Sequence, residues 1–208
     1  MSLLLDASRS AFPILSLDER VLSPALGYYF KPSWLGPHES ILSILWKFAR
    51  ANSLPGHVVA ALLRGHIDPY EGVEPTRTCV DLRRLGASLQ LPATTLRRAL
   101  MSSARYRVSS HTFRFCPGCL SRGYHCVAHQ CERLQHCPLH GRLLECACRC
   151  CGNAVPYHLS ALLLDSPYRC PHCKSLYGNT NFSINSIRPF SKKTRARLCK
   201  LHFDHACF

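Results

Sequence analysis

A chain of 208 residues with 26 Lys and Arg against 12 Asp and Glu, 47% of it hydrophobic and 14 residues cysteine, has room for one or two small cores rather than one large one. Its net charge of +14 excludes an acidic, solvating chain, its 12 carboxylates leave little material for a catalytic constellation, and no apolar segment approaches the length of a membrane span. The charge is uneven: residues 1–75 hold 6 Lys and Arg against 7 Asp and Glu, a net of −1, whereas residues 76–208 hold 20 against 5, a net of +15. A positive field confined to the back two-thirds points to a polyanion, and with no lipid-anchor motif or long amphipathic helix, that polyanion is expected to be nucleic acid.

In chain order, residues 1–36 read as an irregular segment, because Pro13, Pro24, Pro32 and Gly36 interrupt any period around short apolar runs such as 12–17. The apolar run 3–5 is cut short by Asp6, so the opening does not read as a secretory signal, and a cytoplasmic, reducing location is expected. Residues 37–110 read as a helical domain. Its first helix is predicted over 37–52, where Ile41, Leu42, Leu45, Phe48 and Ala49 recur at three- and four-residue steps and Pro37 suits the first turn. A second is predicted over 55–64, ended by Gly65.

Over 79–101, Leu82, Leu85 and Leu89 form an apolar stripe, Leu91-Pro92 breaks it, and 93–101 restarts it with Leu96 and Leu100 inward. Two short helices around a tight turn have the outline of a helix-turn-helix. Thr94, Thr95, Arg97 and Arg98 then fall on the outward face of the second helix, where side chains reach phosphates or guanine edges, and Arg105 and Arg107 join them as nucleic-acid contacts. A plain helical hairpin with solvated arginines fits the same pattern.

Between 116 and 173 one half-site recurs four times: CPGC (116–119), CPLH (137–140), CRCC (148–151) and CPHC (170–173). The spacings pair them as Cys116, Cys119, Cys137 and His140, then Cys148, Cys151, Cys170 and Cys173, two closed tetrahedral sets for two structural Zn²⁺ ions. Four-cysteine ligation also suits an iron–sulfur cluster, but the histidine and the tandem format favour zinc. Zinc modules are therefore predicted over 111–145 and 146–180. Cys146 and Cys150 compete with Cys148 and Cys151, the CxxCG knuckle ending at Gly152 favouring the latter pair. His125 reads as a structural hydrogen-bonder, and His125, His129 or His136 would be the substitute if the first set were misassigned.

The basic tail, 181–208, carries Lys192, Lys193, Arg195 and Arg197 as candidate phosphate contacts. It also offers Cys199, His202, His205 and Cys207 as a third metal cluster, though ligands on one short segment rarely close a tetrahedron. The fold class expected is mainly α with small β, a helix-turn-helix-like unit followed by two tandem zinc-finger or zinc-ribbon modules.

Glu39-Ser40, Ser43, Ala49 and Asn52 in the first helix, then CPGCL (116–120), Gly123-Tyr124-His125, Gln130, CPLHG (137–141), Leu144 and CxxCG (148–152) together resemble the TniQ family of transposition proteins. The resemblance runs from about residue 32 to 173 and rests most on the order CPxCL, GYH, Gln, CPxHG. It implies a non-catalytic target-selection adaptor. Such proteins recognise double-stranded target DNA directly, or sit on an RNA-guided CRISPR effector with its guide RNA, and recruit an AAA+ ATPase of the TnsC/TniB type.

Many members continue for hundreds of residues past the second zinc set, whereas 35 follow Cys173 here, which suits a compact adaptor that borrows its specificity. No GxxxxGK[ST] loop, HExxH or trio of metal-binding acids supports an enzyme, and the HxE element of zinc deaminases is missing from the metal half-sites. The rival reading is a stand-alone zinc-containing DNA-binding transcriptional regulator.

Overall fold

The computed structural model describes residues 28–66 and 68–204, and for residues 105, 106 and 201–204 the backbone alone. Most of the N-terminal segment, with its run 12–17, lies outside the described residues, as do His205, Cys207 and the side chains of Arg105 and His202. Among the described residues the chain is mainly helical with little strand, the β content being isolated bridges, and no helix is long and apolar enough to cross a membrane.

After a 3-10 turn at Pro32–Trp34 comes α1 (Ile41–Asn52). It starts later than the predicted 37–52 for a local reason. His38 adopts a left-handed φ of 51° and Glu39 pairs in an antiparallel bridge with Cys126, so the chain is still extended at Ser40, whose hydroxyl caps the helix by accepting from Ser43 N at 3.2 Å. Residues 41–49 are all buried, polar ones included, so α1 is a central core helix.

The second helix, α2 (Gly56–Ala61), stops short of the predicted 55–64. The N–H groups of Leu62 and Leu63 tighten onto the Val59 and Ala60 carbonyls, and the Leu63 carbonyl is taken by Asp81 N at 2.7 Å, tying the turn to the head of α3. Gly56 packs so closely on α7 (Ala161–Leu164) that a side chain there would strike the Ala161 carbonyl.

Helices α3 (Leu82–Leu89) and α4 (Ala93–Ala99) form where the apolar stripe predicts two short helices. Asp81 caps α3 by accepting from Arg83 N and Arg84 N, each at 3.0 Å, and Gln90 ends it in a left-handed conformation. Short helices α5 (Ser103–Arg107) and α6 (Pro117–Leu120) follow, and the basic tail forms a helix, α8 (Lys192–Asp204).

One hydrophobic core joins residues from Tyr28 to Phe182, so the helical unit and the second cysteine module share an interior. Trp46 of α1 sits at its centre, donating to the Leu163 carbonyl at 2.8 Å and packing on Phe113 and Tyr168.

Inside this core α1 carries a polar network. Lys47 Nζ lies 2.6 Å from the Glu39 carboxylate with both side chains at most 2% exposed, and it also donates to the Trp34 carbonyl at 2.7 Å. Glu39 accepts further from Ser43 Oγ and from Gly36 N. Ser40 Oγ meets His125 Nδ1 at 2.7 Å, and His125 Nε2 and Gln130 Nε2 both reach the Arg114 carbonyl. Removing one partner of a buried ion pair costs about 3–5 kcal/mol, because the other charge is left uncompensated. Lys47→Met is therefore expected to lower stability by about that amount, and adding Glu39→Gln to recover part of it, read from denaturant unfolding.

Burial holds His125 down to about 4 from 6.5, so it is neutral in the fold above that value. A depressed histidine contributes stability that is complete above the unfolded value and lost as pH falls from 6.5 towards 4. The stability gap between the parent and His125→Gln should shrink across that window, by up to about 3 kcal/mol in unfolding titrations at stepped pH.

Candidate metal centres and a cationic cleft

Three of the four half-sites are built alike. At Cys137, Cys148 and Cys170 the N–H donates to the carbonyl five residues on (Arg142, Asn153 and Ser175, at 2.7, 2.9 and 2.8 Å), and the carbonyl accepts the N–H four residues on (Gly141, Gly152 and Lys174, each at 2.8 Å). Antiparallel bridges His136–Leu143, Ala147–Ala154 and Arg169–Leu176 close each loop. The residue after the second ligand takes a left-handed φ in all three, 63° at Gly141, 73° at Gly152 and 60° at Lys174. That turn aims two side chains at one point, and glycine makes it without steric cost. The fourth half-site uses α6 instead: Cys116 stands at its N-cap, Pro117 occupies its first turn, and Leu120 N returns to the Cys116 carbonyl at 3.0 Å.

These loops bring together the residues that the spacing pairs. The ligand atoms of Cys116, Cys119, Cys137 and His140 lie within 4.8 Å of one another, and so do those of Cys148, Cys151, Cys170 and Cys173, so each group could hold a metal ion. His140 Nδ1 is 3.4 Å from the sulfurs of Cys116 and Cys119 and 3.7 Å from that of Cys137. The sulfur pairs Cys119–Cys137, Cys148–Cys173 and Cys151–Cys170 are 3.5, 3.6 and 3.7 Å apart. Metal–sulfur bonds of about 2.3 Å in a tetrahedron put sulfurs roughly 3.8 Å apart, so a zinc-sized ion fits with four protein ligands and no open position.

Thiols this close compete for ionisation. Hydrogen bonds from Cys119 and Cys137 hold Cys116 well below the ordinary thiol value, and Cys116 in turn pushes Cys137 up to about 11. In the second group the Ser175 hydroxyl helps lower Cys173 to about 6.

His129 is the residue that spacing alone undervalues. Fully buried, with burial keeping its ring neutral, it places Nε2 3.7 Å from Cys137 Sγ and 4.0 Å from Cys119 Sγ, while Nδ1 accepts from Cys126 N. It thus stands behind the sulfurs of the first group as a hydrogen-bonding support. In the sequence it stands only as a substitute ligand for the first set, beside His125 and His136. In the second group Cys150 N and Asn153 Nδ2 point at the sulfurs of Cys148 and Cys151. Cys146 and Cys150 themselves are exposed and outside the group.

Thr94, Arg97, Arg98, Arg107, Lys192, Lys193, Arg195 and Arg197 are all exposed. Of these, Arg98 of α4 and Arg195 of α8 line one cleft of about 240 Å³ together with Thr95, Cys199, residues 35–39 and Ile44. Arg77 is an exposed basic neighbour, its Nε donating to the Arg97 carbonyl at 3.0 Å, and Arg83 of α3 is exposed as well. That bond sets Arg77 beside α4, which a reading confined to the second helix omits.

No family model matches this chain, and no curated protein matches it in sequence.

Purified protein is expected to carry two metal equivalents per chain by elemental analysis, falling to one in Cys119→Ser or Cys170→Ser and staying at two in Cys146→Ser with Cys150→Ser. Loss of an equivalent in that last variant would reassign the second set.

Proposed function

We propose that this protein is a target-selection adaptor of transposition, of the kind the TniQ resemblance implies, with two structural zinc ions and no catalytic centre of its own. One observation carries the reading. Polar residues of the resemblance are scattered from Glu39 to Gln130, yet they meet: Glu39, Ser40 and Ser43 of the α1 region contact Lys47, His125 and the Gly123 carbonyl, and His125 and Gln130 share the Arg114 carbonyl, while Asn52 separately bonds both backbone groups of Tyr29. A set of polar residues with one shared structural task supports a common origin better than any single CxxC does. It also explains why the signature interleaves helix and metal half-sites, since the network fastens one to the other.

Zinc is the ion proposed because thiolate-rich, closed tetrahedral sets suit it, and each module is read as a zinc finger. Helices α3 and α4 are read as a helix-turn-helix: Gln90, Leu91 and Pro92 make a three-residue turn, and Leu85, Leu89, Leu96 and Leu100 are buried between them. Arginines on their outer face and along α8 engage double-stranded DNA through its phosphates, releasing counterions. The AAA+ ATPase, and where present an RNA-guided effector with its guide RNA, are the partners the adaptor reading requires. The charge asymmetry leaves the less basic residues 1–75 as the part of the chain suited to protein contact.

Binding of labelled duplex should weaken in Arg97→Ala with Arg98→Ala, the slope of log K against log salt flattening by up to about 2 units. An AAA+ ATPase encoded beside this protein should assemble on DNA only when the zinc-loaded protein is added. Equal assembly without it would reject the adaptor, and sequence-specific operator binding with no ATPase recruitment would favour the stand-alone regulator.

A further inference from the structure

The adjacent arginines of α4 have different surroundings. Arg98, one turn on from Thr95, lines the α4–α8 cleft opposite Arg195. Arg97 is exposed outside it, beside Arg77, which bonds its carbonyl. The far wall is a seated helix: Leu198 of α8 is 2% exposed, buried in the cluster of Cys116, Cys119, Tyr124 and Leu144 around the first metal group. The approach to α8 is pinned as well, by Phe190 packed edge-on against Tyr124 at 4.9 Å, with the Arg122 guanidinium 5.0 Å above its ring. The acid on the cleft floor, Glu39, already has its partner in Lys47. Arg98, Arg195, Thr95 and Glu39, whose charge is taken up by Lys47, therefore line one space of about 240 Å³.

We propose that Arg98 and Arg195 are the two jaws of a phosphate clamp that grips one phosphodiester of bound duplex DNA, Thr95 adding a hydroxyl donor. This rests on the reading of the chain as a DNA-binding protein. Guanidiniums recognise phosphate oxygens through paired N–H donors, and a contact to phosphate sets register and carries no sequence information. Arg97 is left to make its contact outside. Because α8 is seated on the first metal module, the clamp's width depends on that module.

The shared phosphate makes a countable signature. Each neutralised phosphate contributes about 0.9 to the salt slope, so Arg98→Ala with Arg195→Ala should flatten it by about 0.9, where two separate contacts would lose about 1.8. Adding Arg97→Ala should flatten it further. Cys199 serves as a native reporter inside the cleft, with exposed Cys146 and Cys150 as controls elsewhere. With free duplex at about ten times Kd, alkylation of Cys199 by N-ethylmaleimide in the full zinc-loaded chain should slow about tenfold while the two controls react unchanged. Inorganic phosphate at the same ionic strength should protect only weakly. Binding with no protection of Cys199, or a slope loss of about 1.8 in the double variant, overturns the clamp and leaves DNA binding standing. No binding to duplex at any salt overturns both.

Discussion

An ammonium and a carboxylate withdrawn together from water, Lys47 on Glu39 at 2.6 Å, set the frame for everything else in this fold. Such a pair adds little net stability, since desolvation consumes most of the Coulombic gain, but it tolerates very few arrangements. Lys47 must also meet the Trp34 carbonyl, Ser43 must reach the same carboxylate, and Ser40 must meet His125. Those demands allow α1 one register and one depth. They run on through His125 and Gln130 to the Arg114 carbonyl, and the neighbouring His129 stands against the sulfurs of Cys119 and Cys137. Order in the first Cys/His group and order in the central helix are thus linked by a chain of contacts, the His125 and His129 rings meeting at 5.0 Å.

The two Cys/His groups, which could each hold a metal ion, stand where the helices are too short to hold the fold alone. α2, α4, α5, α6 and α7 span four to seven residues each, well below the length at which an isolated helix persists in water. Between 111 and 180 the described backbone is held by isolated bridges, short turns and helices of about one turn, with no extended ladder. A bound structural ion in such a site is worth roughly 10–16 kcal/mol at neutral pH, enough to fasten loops that hydrogen bonds alone would leave open. The aromatic cluster of Trp46, Phe113, Tyr157, Tyr168 and Tyr177 then fills the space between α1 and the second group, so each cage faces an already packed wall.

On that frame the positive charge is arranged, not merely accumulated. α8 brings its cations to the side of the molecule where α4 presents its own, and Leu198 is the apolar tooth that keeps it there. A basic segment free in solvent would contribute a diffuse field. Held against the first metal module, it forms a walled cleft with defined donors, which is the difference between electrostatic attraction and a contact with register.

The metal ligands were legible in the amino-acid order because a knuckle is a local device: two ligands three apart, with a glycine following at 141 and 152, report their own geometry. The short amphipathic helices α3 and α4 announced themselves for the same reason, through leucines at helical spacing and the Leu91-Pro92 break, while the Asp81 cap came from the structure. What tertiary structure alone decided is whatever depends on partners far along the chain. Nothing in the sequence marks Lys47 as buried, and only its meeting with Glu39 and the Trp34 carbonyl places it inside. Cys146 and Cys150 are chemically equal to Cys148 and Cys151 until the loop closes and leaves them outside. The segment after 190 has so few apolar residues that it reads as a tail, and a single buried leucine makes it a wall. Arg98 and Arg195 share nothing in sequence. Local covalent spacing determines knuckles and short helices, whereas burial and the meeting of like charges are properties of the folded surface.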